Sequence, residues 1–426
     1  MKIFIFFYTI LYCFIFIPLV LIASIWSKKI RCGLQGRFRQ IKKIRAFAKE
    51  KTNAPLFLFH SSSVGEWEQS IPIIQELKKQ SPDIQIVATF FSPSGMKHGK
   101  KELVDASFYL PFDIYWIAIR FFKLIQPTAW IISKYDVWPM FVFAAHLLQI
   151  PVILSSAELA ADSTRHKPIF ATVNKLFYRY ISVVFVVSDE YKERFLHIFP
   201  YPDKIIVSGD ARYDHIISNA KKNELKQPIE LFANPLPVTF IAGSIWPADE
   251  KHLLPAILSI YNTFSNVQFI LVPHELSEDH IESIENFFYE SSIATERYTR
   301  FLTNQKSHCR IVIVDTIGML AKLYQTTDIA YIGGAFSSGV HNVAEPAIFG
   351  NAVLFGPKHL NSHEAVQLKK IEAAFQVTNE QECISILTNL ITNDVFRITA
   401  GAKGKDFICE NKGAAKIIAH YLKQYI

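Results

Sequence analysis

Short apolar runs alternate with helical patterns along most of this chain, and this alternation constrains the fold more than any other feature. Segments with helical spacing, such as Ser70–Gln80 and Phe141–Leu148, lie between several of the runs. This rhythm is typical of a parallel sheet with helices on both faces. The first half contains five predicted strands: Leu56–Phe59, Ile84–Phe90, Ala129–Ile132, Val152–Leu154 and Val183–Val187.

A polar break at residues 219–230, followed by Pro235 and Pro237, predicts a linker. We therefore predict two α/β parallel-sheet domains, residues 53–230 and 231–426, with the last helical segments closing the second. Two such domains imply a cleft, a favoured place for a ligand. The second set of predicted strands is Thr239–Ala242, Gln268–Val272, Ile311–Val314, Ile329–Ile332 and Ala352–Phe355, and the last helices are predicted at Glu380–Asn393 and Lys412–Gln424.

The N-terminal segment Ile3–Trp26 contains no charged residue and is rich in Ile, Leu and Phe. At a rise of about 1.5 Å per residue, it can span a hydrocarbon core of about 30 Å. A cleaved signal peptide is the alternative, but its apolar region is usually shorter, and no clear small-x-small site precedes the charges. We predict a transmembrane anchor at residues 1–27.

A basic segment, residues 28–52, follows the anchor, with ten Lys or Arg and one acid, Glu50. This excess of nine exceeds the net charge of +7, so the rest of the chain carries about −2. The positive-inside bias predicts a cytoplasmic body, and the segment is expected to contact anionic lipid headgroups. Nucleic-acid binding is the alternative, which the adjacent anchor disfavours.

The sequence indicates no cofactor, metal or disulfide framework. Its five cysteines are dispersed without a CxxC pair, which fits a reducing compartment and argues against a zinc site. It contains no GxSxG, HExxH or GxxxxGK[ST] motif, and no Asp-x-Asp pair to hold a metal on a diphosphate. Helix N-termini and side chains are therefore expected to neutralise any bound phosphate.

The stretch HSSSVGEWEQS, His60–Ser70, leaves a predicted strand and enters a helix with Glu66 in its first turn. Two interpretations are open. Glu66 can complement the positive helix N-terminus and cap free N–H groups. It can also be a general base at the carboxyl end of a strand, where open α/β sheets bind their ligands.

Three loops of the second domain each follow a predicted strand: AGSIWPADE, VPHELSEDH and VDTIGML. A glycine before a helix, such as Gly318, lets an anion approach the free backbone N–H groups, which predicts a phosphate site. An ordinary turn is the alternative for each loop, and His274 can cap a turn as well as contact a nucleotide. The candidate residues are Gly243, Ser244, Pro273, His274, Thr316, Gly318 and Met319.

A fourth loop, YIGGAFSSGVHNVAEPAIFG, combines several features. A Gly-Gly pair at a strand end admits close backbone approach, and a carboxylate at a helix start could accept both hydroxyls of a ribose. The alternative is a glycine-rich turn with a capping Glu. The candidate residues are Gly333, Gly334, His341, Asn342 and Glu345.

Taken together, these motifs resemble the Kdo transferase family, which attaches 3-deoxy-D-manno-octulosonic acid (Kdo) to a lipid A precursor. HSSSVGE is similar to the family's His-x-x-Ser-Val-Gly-Glu signature, and GGAFSSGVHNVAEPAIFGNAVLFGP to its Gly-Gly…Gly-His-Asn-x-x-Glu-Pro block. KYDVWP, SGDARYD, AGS, VPHE and VDTIGML follow the family's order, so the resemblance extends from the anchor to about Leu368.

The resemblance implies the GT-B arrangement of two Rossmann-like domains, the second binding CMP-Kdo and the first the lipid acceptor, lipid IVA. It implies an inverting, metal-independent transfer in lipopolysaccharide synthesis, with Glu66 as general base and Ser62, Ser63 and Asp136 on the acceptor side. The expected location is the bacterial inner membrane, with one N-terminal pass and cytoplasmic domains.

The sequence departs from the family's pattern in several places. Lys134, Tyr135 and Asp136 stand where the family commonly has Glu-Thr-Glu, and His274 directly follows Pro273 where Arg-His is frequent. Val340 and Val343 replace a common Gly and Pro. Three other classes stay open: another GT-B enzyme that uses a UDP-sugar, a nucleotide-sugar 2-epimerase and a non-enzymatic nucleotide-binding module. A soluble sugar nucleotide needs no tether, which argues against the epimerase.

Overall fold

The chain folds into two compact units, each built around a parallel sheet of seven strands. Unit 1 contains residues 1–215 and 411–426, and unit 2 contains residues 216–410. These sheets confirm the prediction of two α/β parallel-sheet domains. The structure is a computed structural model, and it describes residues 2–99, 101–134, 136–160, 163–224, 227–301 and 306–426.

The sheet of unit 1 has the strand order β3-β2-β1-β4-β5-β6-β7, and all of its pairs are parallel. The chain runs outward from β1 on one side, then returns to its other side at β4. This reversal is the topological switch point where open α/β sheets bind ligands. The strands are β1 (Leu56–Ser61), β2 (Gln85–Phe90), β3 (Ala106–Tyr109), β4 (Ala129–Ser133), β5 (Val152–Ala157), β6 (Val183–Val186) and β7 (Ile205–Val207).

Helices cover both faces of this sheet, because the strands are buried on both sides and need two apolar covers. Phe57 and Phe59 point into one hydrophobic cluster, and Leu56 and Leu58 into the other. Eleven α-helices begin within residues 1–215 among the described residues, and the last of them crosses into unit 2. They are α1 (Lys2–Leu11), α2 (Ile17–Trp26), α3 (Lys28–Arg39), α4 (Ile41–Glu50), α5 (Val64–Gln80), α6 (Pro93–His98), α7 (Tyr115–Ile125), α8 (Pro139–Leu147), α9 (Pro168–Tyr178), α10 (Asp189–Leu196) and α11 (Ala211–Glu224).

The sheet of unit 2 has the order β10-β11-β9-β8-β12-β13-β14, again with parallel pairs only. Its topological switch point lies between β8 and β12. The strands are β8 (Val238–Ile245), β9 (Val267–Pro273), β10 (Thr295–Arg297), β11 (Ile311–Ile313), β12 (Ile329–Ile332), β13 (Ala352–Phe355) and β14 (Ala374–Gln376). The helices are α12 (Pro247–Thr263), α13 (Glu278–Tyr289), α14 (Leu320–Leu323), α15 (Ala344–Ile348), α16 (His363–Lys370), α17 (Glu380–Thr392) and α18 (Asp394–Glu410).

The last helix, α19 (Ala414–Leu422), belongs to unit 1, although the sequence analysis assigned it to the second domain. Its apolar face, which includes Ile418 and Leu422, is buried in the cluster formed by Phe57 and Phe59. The Asp214 carboxylate accepts hydrogen bonds from the N–H groups of Gly413 and Ala415, at 2.8 and 3.0 Å. Because this helix completes the cover of the first sheet, unit 2 ends at residue 410, and it begins at residue 216 instead of the predicted 231.

The N-terminal helix, Phe4–Trp26, is the one helix among the described residues that is long and apolar enough to cross a membrane. It joins α1 and α2 through a π turn at Tyr12–Phe16. One face packs on unit 1, where the Tyr8 hydroxyl donates to Asp113 at 2.6 Å. The remaining apolar side chains are largely exposed, including those of Phe6, Phe7, Leu11, Phe14, Ile15, Leu19, Ile22, Ile25 and Trp26.

Candidate active site

The Glu66 carboxylate lies at the carboxyl end of β1, in the first turn of α5. Ser63 caps this helix through its Oγ, which accepts a hydrogen bond from the Glu66 N–H at 3.4 Å. The Ser62 N–H in turn donates to Oε2 of Glu66 at 2.5 Å. The capping interpretation is thereby confirmed, and the same bonds fix the position of the carboxylate at the topological switch point of unit 1.

Burial raises the pKa of Glu66 from 4.5 to about 6, and the nearby Asp136 carboxylate also raises it. The backbone N–H groups of Ser62 and Ser63 and the Lys134 ammonium lower it, but they do not cancel the effect of burial. A carboxylate with this pKa is largely ionised at neutral pH. Its pKa is also close to the value that suits a general base at that pH.

The neighbouring His60 is neutral and has a structural role. Its side chain is buried, and burial lowers its pKa to about 3. The Trp138 Nε1–H donates to Nε2 at 3.1 Å, so the remaining ring proton is on Nδ1, 3.1 Å from the Thr89 hydroxyl. The Ser62 Oγ is buried, and it makes no hydrogen bond with any described residue.

The loop after β4 brings Lys134 and Asp136 close enough to affect the charge of Glu66. Lys134 forms an ion pair with Glu158 at 3.2 Å, and both side chains are largely buried. Lys134 stands where the family commonly has an acidic residue, and the Glu158 carboxylate balances its charge. Burial also raises the pKa of Asp136, which Arg165 lowers. Tyr135 lies outside the described residues.

In unit 2, the predicted donor residues lie at the carboxyl ends of four neighbouring strands, β11, β9, β8 and β12, or just after them. Because all four are parallel, their carboxyl ends lie at one edge of the sheet, and their loops meet there. Two strands extend further than predicted, so Gly243 and Ser244 lie among the last residues of β8 itself, and Pro273 is the last residue of β9. The other candidates follow a strand: His274 after β9, Thr316, Gly318 and Met319 after β11, and Gly333, Gly334, His341, Asn342 and, in the first turn of α15, Glu345 after β12.

The Gly-Gly pair is required by close backbone contacts. A Cβ atom on Gly333 would lie 2.1 Å from the carbonyl oxygen of Ser244, and Gly334 has a φ of +94°. The buried Asp249 carboxylate holds this loop, because Oδ2 accepts from the N–H groups of Gly334 and Trp246 at 2.8 and 3.0 Å. Asp249 was not among the predicted site residues.

Three flat rings form a stack at the same edge of unit 2. The His274 ring lies 4.1 Å from the Trp246 ring and 5.0 Å from the His341 ring, centroid to centroid. The Trp246 Nε1–H donates to Nε2 of His341 at 2.9 Å. Burial lowers the pKa of His341, and His274 lowers it further, so this ring is neutral near pH 7. The sequence analysis did not select Trp246.

A hydrogen bond joins Asn342 to Glu345. The Asn342 Nδ2–H donates to Oε1 of Glu345 at 3.1 Å, and Asn342 Oδ1 accepts from the Ala344 N–H at 3.2 Å. The buried Tyr324 phenol is close to this carboxylate, since Glu345 contributes to its raised pKa. Tyr324 also explains Gly243, because a Cβ atom there would lie 2.4 Å from the phenol oxygen.

The loop after β11 differs in detail from its prediction. Gly318 has a φ of +86° and open space around it, but the helix that follows, α14, is only four residues long and begins two residues later. The Thr316 Oγ1 is buried and has no hydrogen-bond partner among the described residues. That hydroxyl, with the glycine loop, provides donors for an anion. No group of three or more His, Cys, Asp or Glu side chains that could hold a metal occurs in the described ranges.

Solved structures with the same architecture identify the class of fold. A UDP-GlcNAc 2-epimerase from Neisseria meningitidis superposes with a TM-score of 0.60 at 15% identity and covers 84% of this chain and 99% of its own. MurG from Acinetobacter baumannii superposes with a TM-score of 0.57 at 16% identity, over 87% and 99% of the two chains. These likenesses show the two-domain α/β fold called GT-B.

Sequence comparisons narrow the class to one family. The family model of 3-deoxy-D-manno-octulosonic-acid transferase (kdotransferase) matches residues 33–215. Proteins named 3-deoxy-D-manno-octulosonic acid transferase are 24% identical over 373 residues in Haemophilus influenzae, covering 86% of each chain, and 27% identical over 337 residues in Aquifex aeolicus, covering 78% of this chain and 85% of the relative. The chain thus matches the Kdo transferase family, by the family model over residues 33–215 and by these relatives over most of its length, and it is a glycosyltransferase.

Proposed function

We propose that this enzyme transfers Kdo from CMP-Kdo to a lipid A precursor, lipid IVA, in lipopolysaccharide synthesis. In this proposal the anomeric configuration inverts, and no metal takes part at the reacting centre. The match to the Kdo transferase family supports the donor and the acceptor class. The observation that carries the proposal is Glu66, a carboxylate fixed at the switch point of unit 1 with a pKa of about 6.

Glu66 acts as the general base. The acceptor hydroxyl gives its proton to the Glu66 carboxylate while its oxygen forms a bond to the anomeric carbon of Kdo. The bond from that carbon to the phosphate oxygen breaks, and CMP leaves with the electron pair. The transition state has oxocarbenium character, and general-base catalysis typically contributes about 10²–10⁴-fold to the rate.

CMP-Kdo binds at the carboxyl edge of the second sheet. Glu345 accepts hydrogen bonds from the ribose hydroxyls, and Asn342 holds that carboxylate at 3.1 Å. The loop of Thr316, Gly318 and Met319 receives the phosphate. The Thr316 hydroxyl, which has no hydrogen-bond partner within the described part of the chain, supports this role. The remaining donor-site residues shape the pocket through close backbone approach and through their rings: Gly243, Ser244, Pro273, His274, Gly333, Gly334 and His341.

The acceptor binds in unit 1, next to Glu66. Asp136 is the acceptor-side residue with the strongest support, because its charge reaches Glu66. Ser62 and Ser63 shape this side mainly through the loop that holds the base. The segment Phe4–Trp26 anchors the enzyme in the bacterial inner membrane, with both domains in the cytoplasm. The basic segment faces anionic lipid, and the anchor confines the search for a lipid acceptor to a surface.

One incubation tests the proposal. Purified protein is mixed with CMP-Kdo and a tetra-acylated lipid A precursor, and the products are read by mass spectrometry. We expect the acceptor mass to increase by one or more Kdo units and CMP to be released. Parallel incubations with UDP-sugars, including UDP-GlcNAc, test the other classes. Transfer or epimerisation of a UDP-sugar, with CMP-Kdo left intact, would overturn the proposal.

A further inference from the structure

An apolar groove of about 380 Å³ lies within unit 1, between the N-terminal helix and the body of the domain. This volume is within the range of about 300–1,000 Å³ that is usual for ligand sites. Its apolar and aromatic lining comes from the N-terminal helix, from α3 and from the chain after β2 and β3, and it includes Tyr12, Phe16, Val20, Leu34, Phe91 and Phe112.

The N-terminal helix presents one continuous stripe of side chains to the domain. Tyr8, Tyr12, Phe16 and Val20 are four residues apart, and successive rings stack at 5.8 and 4.8 Å. This spacing would drift around an α-helix of about 3.6 residues per turn. The wider π turn at Tyr12–Phe16 counters that drift. The groove is therefore walled by a helix that also carries many exposed apolar side chains.

The groove is connected directly to the loop of the proposed base. The N–H of Ser92, which lines the groove, donates to the carbonyl oxygen of Ser62 at 3.1 Å. The N–H of Ser62 donates to Glu66 at 2.5 Å. Only one residue therefore separates the groove wall from the carboxylate. The ring of Phe91 also stacks on the Trp138 ring, 4.9 Å away from centroid to centroid, so this wall packs against the residue that precedes α8.

Two cationic side chains line the groove. The Arg37 guanidinium donates to the carbonyl oxygens of Phe91 and Leu110, at 2.8 and 3.0 Å, and so holds together the two loops that form the wall. Lys29 is exposed at the edge of the groove. An apolar groove beside positive charge complements an amphiphile that has an alkyl chain and an anionic headgroup.

We propose that this groove binds one acyl chain of the glycolipid acceptor and thereby sets the acceptor's sugar beside Glu66. The inference rests on the proposed function, because it takes the acceptor to be an acylated, anionic glycolipid. The chain enters past the exposed apolar side of the helix, where the bilayer lies. The acyl chains of the acceptor then have two roles. They hold the acceptor in the bilayer, and one of them is bound by the enzyme.

The substitution Val20→Trp tests the groove, because Val20 lines it from a helix that is mostly exposed. Leu19→Trp is the matched control, since it adds the same bulk to the neighbouring residue, whose side chain is 58% exposed. With a tetra-acylated acceptor we expect Val20→Trp to lower kcat/KM about tenfold, the effect of losing contact with about two methylene groups. With an acyl-free sugar acceptor, wild type and both variants are expected to be equal.

Binding of a fluorescent acylated glycolipid, measured without donor, keeps the inference testable if the wild type transfers no Kdo. Val20→Trp is expected to weaken that binding about tenfold, and Leu19→Trp to leave it unchanged. An equal loss in both variants, or an equal loss with the acyl-free acceptor, would overturn the inference. If Val20→Trp weakened binding of a phosphatidylglycerol probe to a similar degree, the groove would bind membrane lipid in general, and the inference would also be overturned. A wild type that binds the glycolipid but does not transfer Kdo contradicts the proposed function alone.

Discussion

Replacing Glu66 by Gln separates the two roles of this side chain. The amide oxygen can still accept the hydrogen bond that the Ser62 N–H donates, so the capped start of α5 is retained. The amide cannot accept a proton from the acceptor hydroxyl. We therefore expect turnover to fall about 10²–10⁴-fold, while binding of CMP stays within about twofold, because the proposed nucleotide site is in unit 2.

The same substitution has an opposite effect on stability. The rise of the Glu66 pKa from 4.5 to about 6 means that burial penalises the charged form by about 2 kcal/mol. Below pH 4.5 the carboxyl is protonated in both the folded and unfolded states, so the penalty is absent. It grows as the pH rises from about 4.5 to about 6 and is nearly constant above that. Glu66→Gln avoids it, so the variant's free energy of unfolding should equal that of wild type at about pH 4 and exceed it by up to about 2 kcal/mol above pH 7.

The assay combines Kdo transfer read by mass, CMP titration and urea unfolding at the two pH values. Glu68→Gln, two residues along the same helix, is the matched control and is expected to keep near-normal turnover. Turnover of Glu66→Gln within about threefold of wild type would remove Glu66 from the mechanism. A variant that loses CMP binding, or that is less stable than wild type at neutral pH, would refute the reasoning about burial and capping.

Three further predictions concern the scaffold. Gly333→Ala places a Cβ atom against the Ser244 carbonyl oxygen, so we expect a loss of about 1–3 kcal/mol in stability, checked by thermal melting; an unchanged melting temperature contradicts the geometry. Asp249→Asn weakens a charged acceptor of the Gly334 loop and should raise the KM for CMP-Kdo about tenfold, checked by donor titration; an unchanged KM would leave Asp249 without a positioning role. Ile418→Ala, at a fully buried position in α19, should cost about 2–5 kcal/mol in urea unfolding, whereas Ile417→Ala, at a 45% exposed position, should cost under about 0.5 kcal/mol; equal costs would contradict the packing of this helix.

The sequence predicted the interior of both sheets but missed their edges. The ten predicted strands all correspond to observed ones, and Ile329–Ile332 and Ala352–Phe355 have the predicted bounds. The four strands that were missed, β3, β7, β10 and β14, are the outermost strands of the two sheets. Each has only three or four residues and is partly exposed. Short, half-exposed edge strands lack the continuous apolar run that indicates a buried parallel strand.

The domain boundary required information that is not local. Polar residues 219–230 indicated a break, but α11 begins before them and extends to Glu224. The return of α19 to unit 1 depends on Asp214, which accepts hydrogen bonds from residues about 200 positions later. The helical pattern of α19 predicts an apolar face but carries no information about which sheet that face covers.

The candidate site was predictable where it depends on the order of strands. Loops that follow parallel strands meet at one edge, so the alternation alone brought the four loops of unit 2 together. Trp246 and Asp249 were not selected, because the contacts that place them in the site include residues far along the chain, His341 for Trp246 and Gly334 for Asp249. Tyr324 was not selected either, and it lies against Gly243. A lone Trp or Tyr between apolar residues is more often core than site.

The two interpretations of Glu66 need not exclude each other. A general base needs a fixed position and a pKa near the operating pH. The hydrogen bond from the Ser62 N–H fixes the position of the carboxylate, although by itself it would lower the pKa. Burial opposes that effect and raises the pKa to about 6. A Glu that only capped a helix would gain nothing from burial, since the surface offers the same N–H groups without the cost of desolvation. The combination of a capping bond with a raised pKa is therefore better explained by a carboxylate that caps the helix and also accepts a proton.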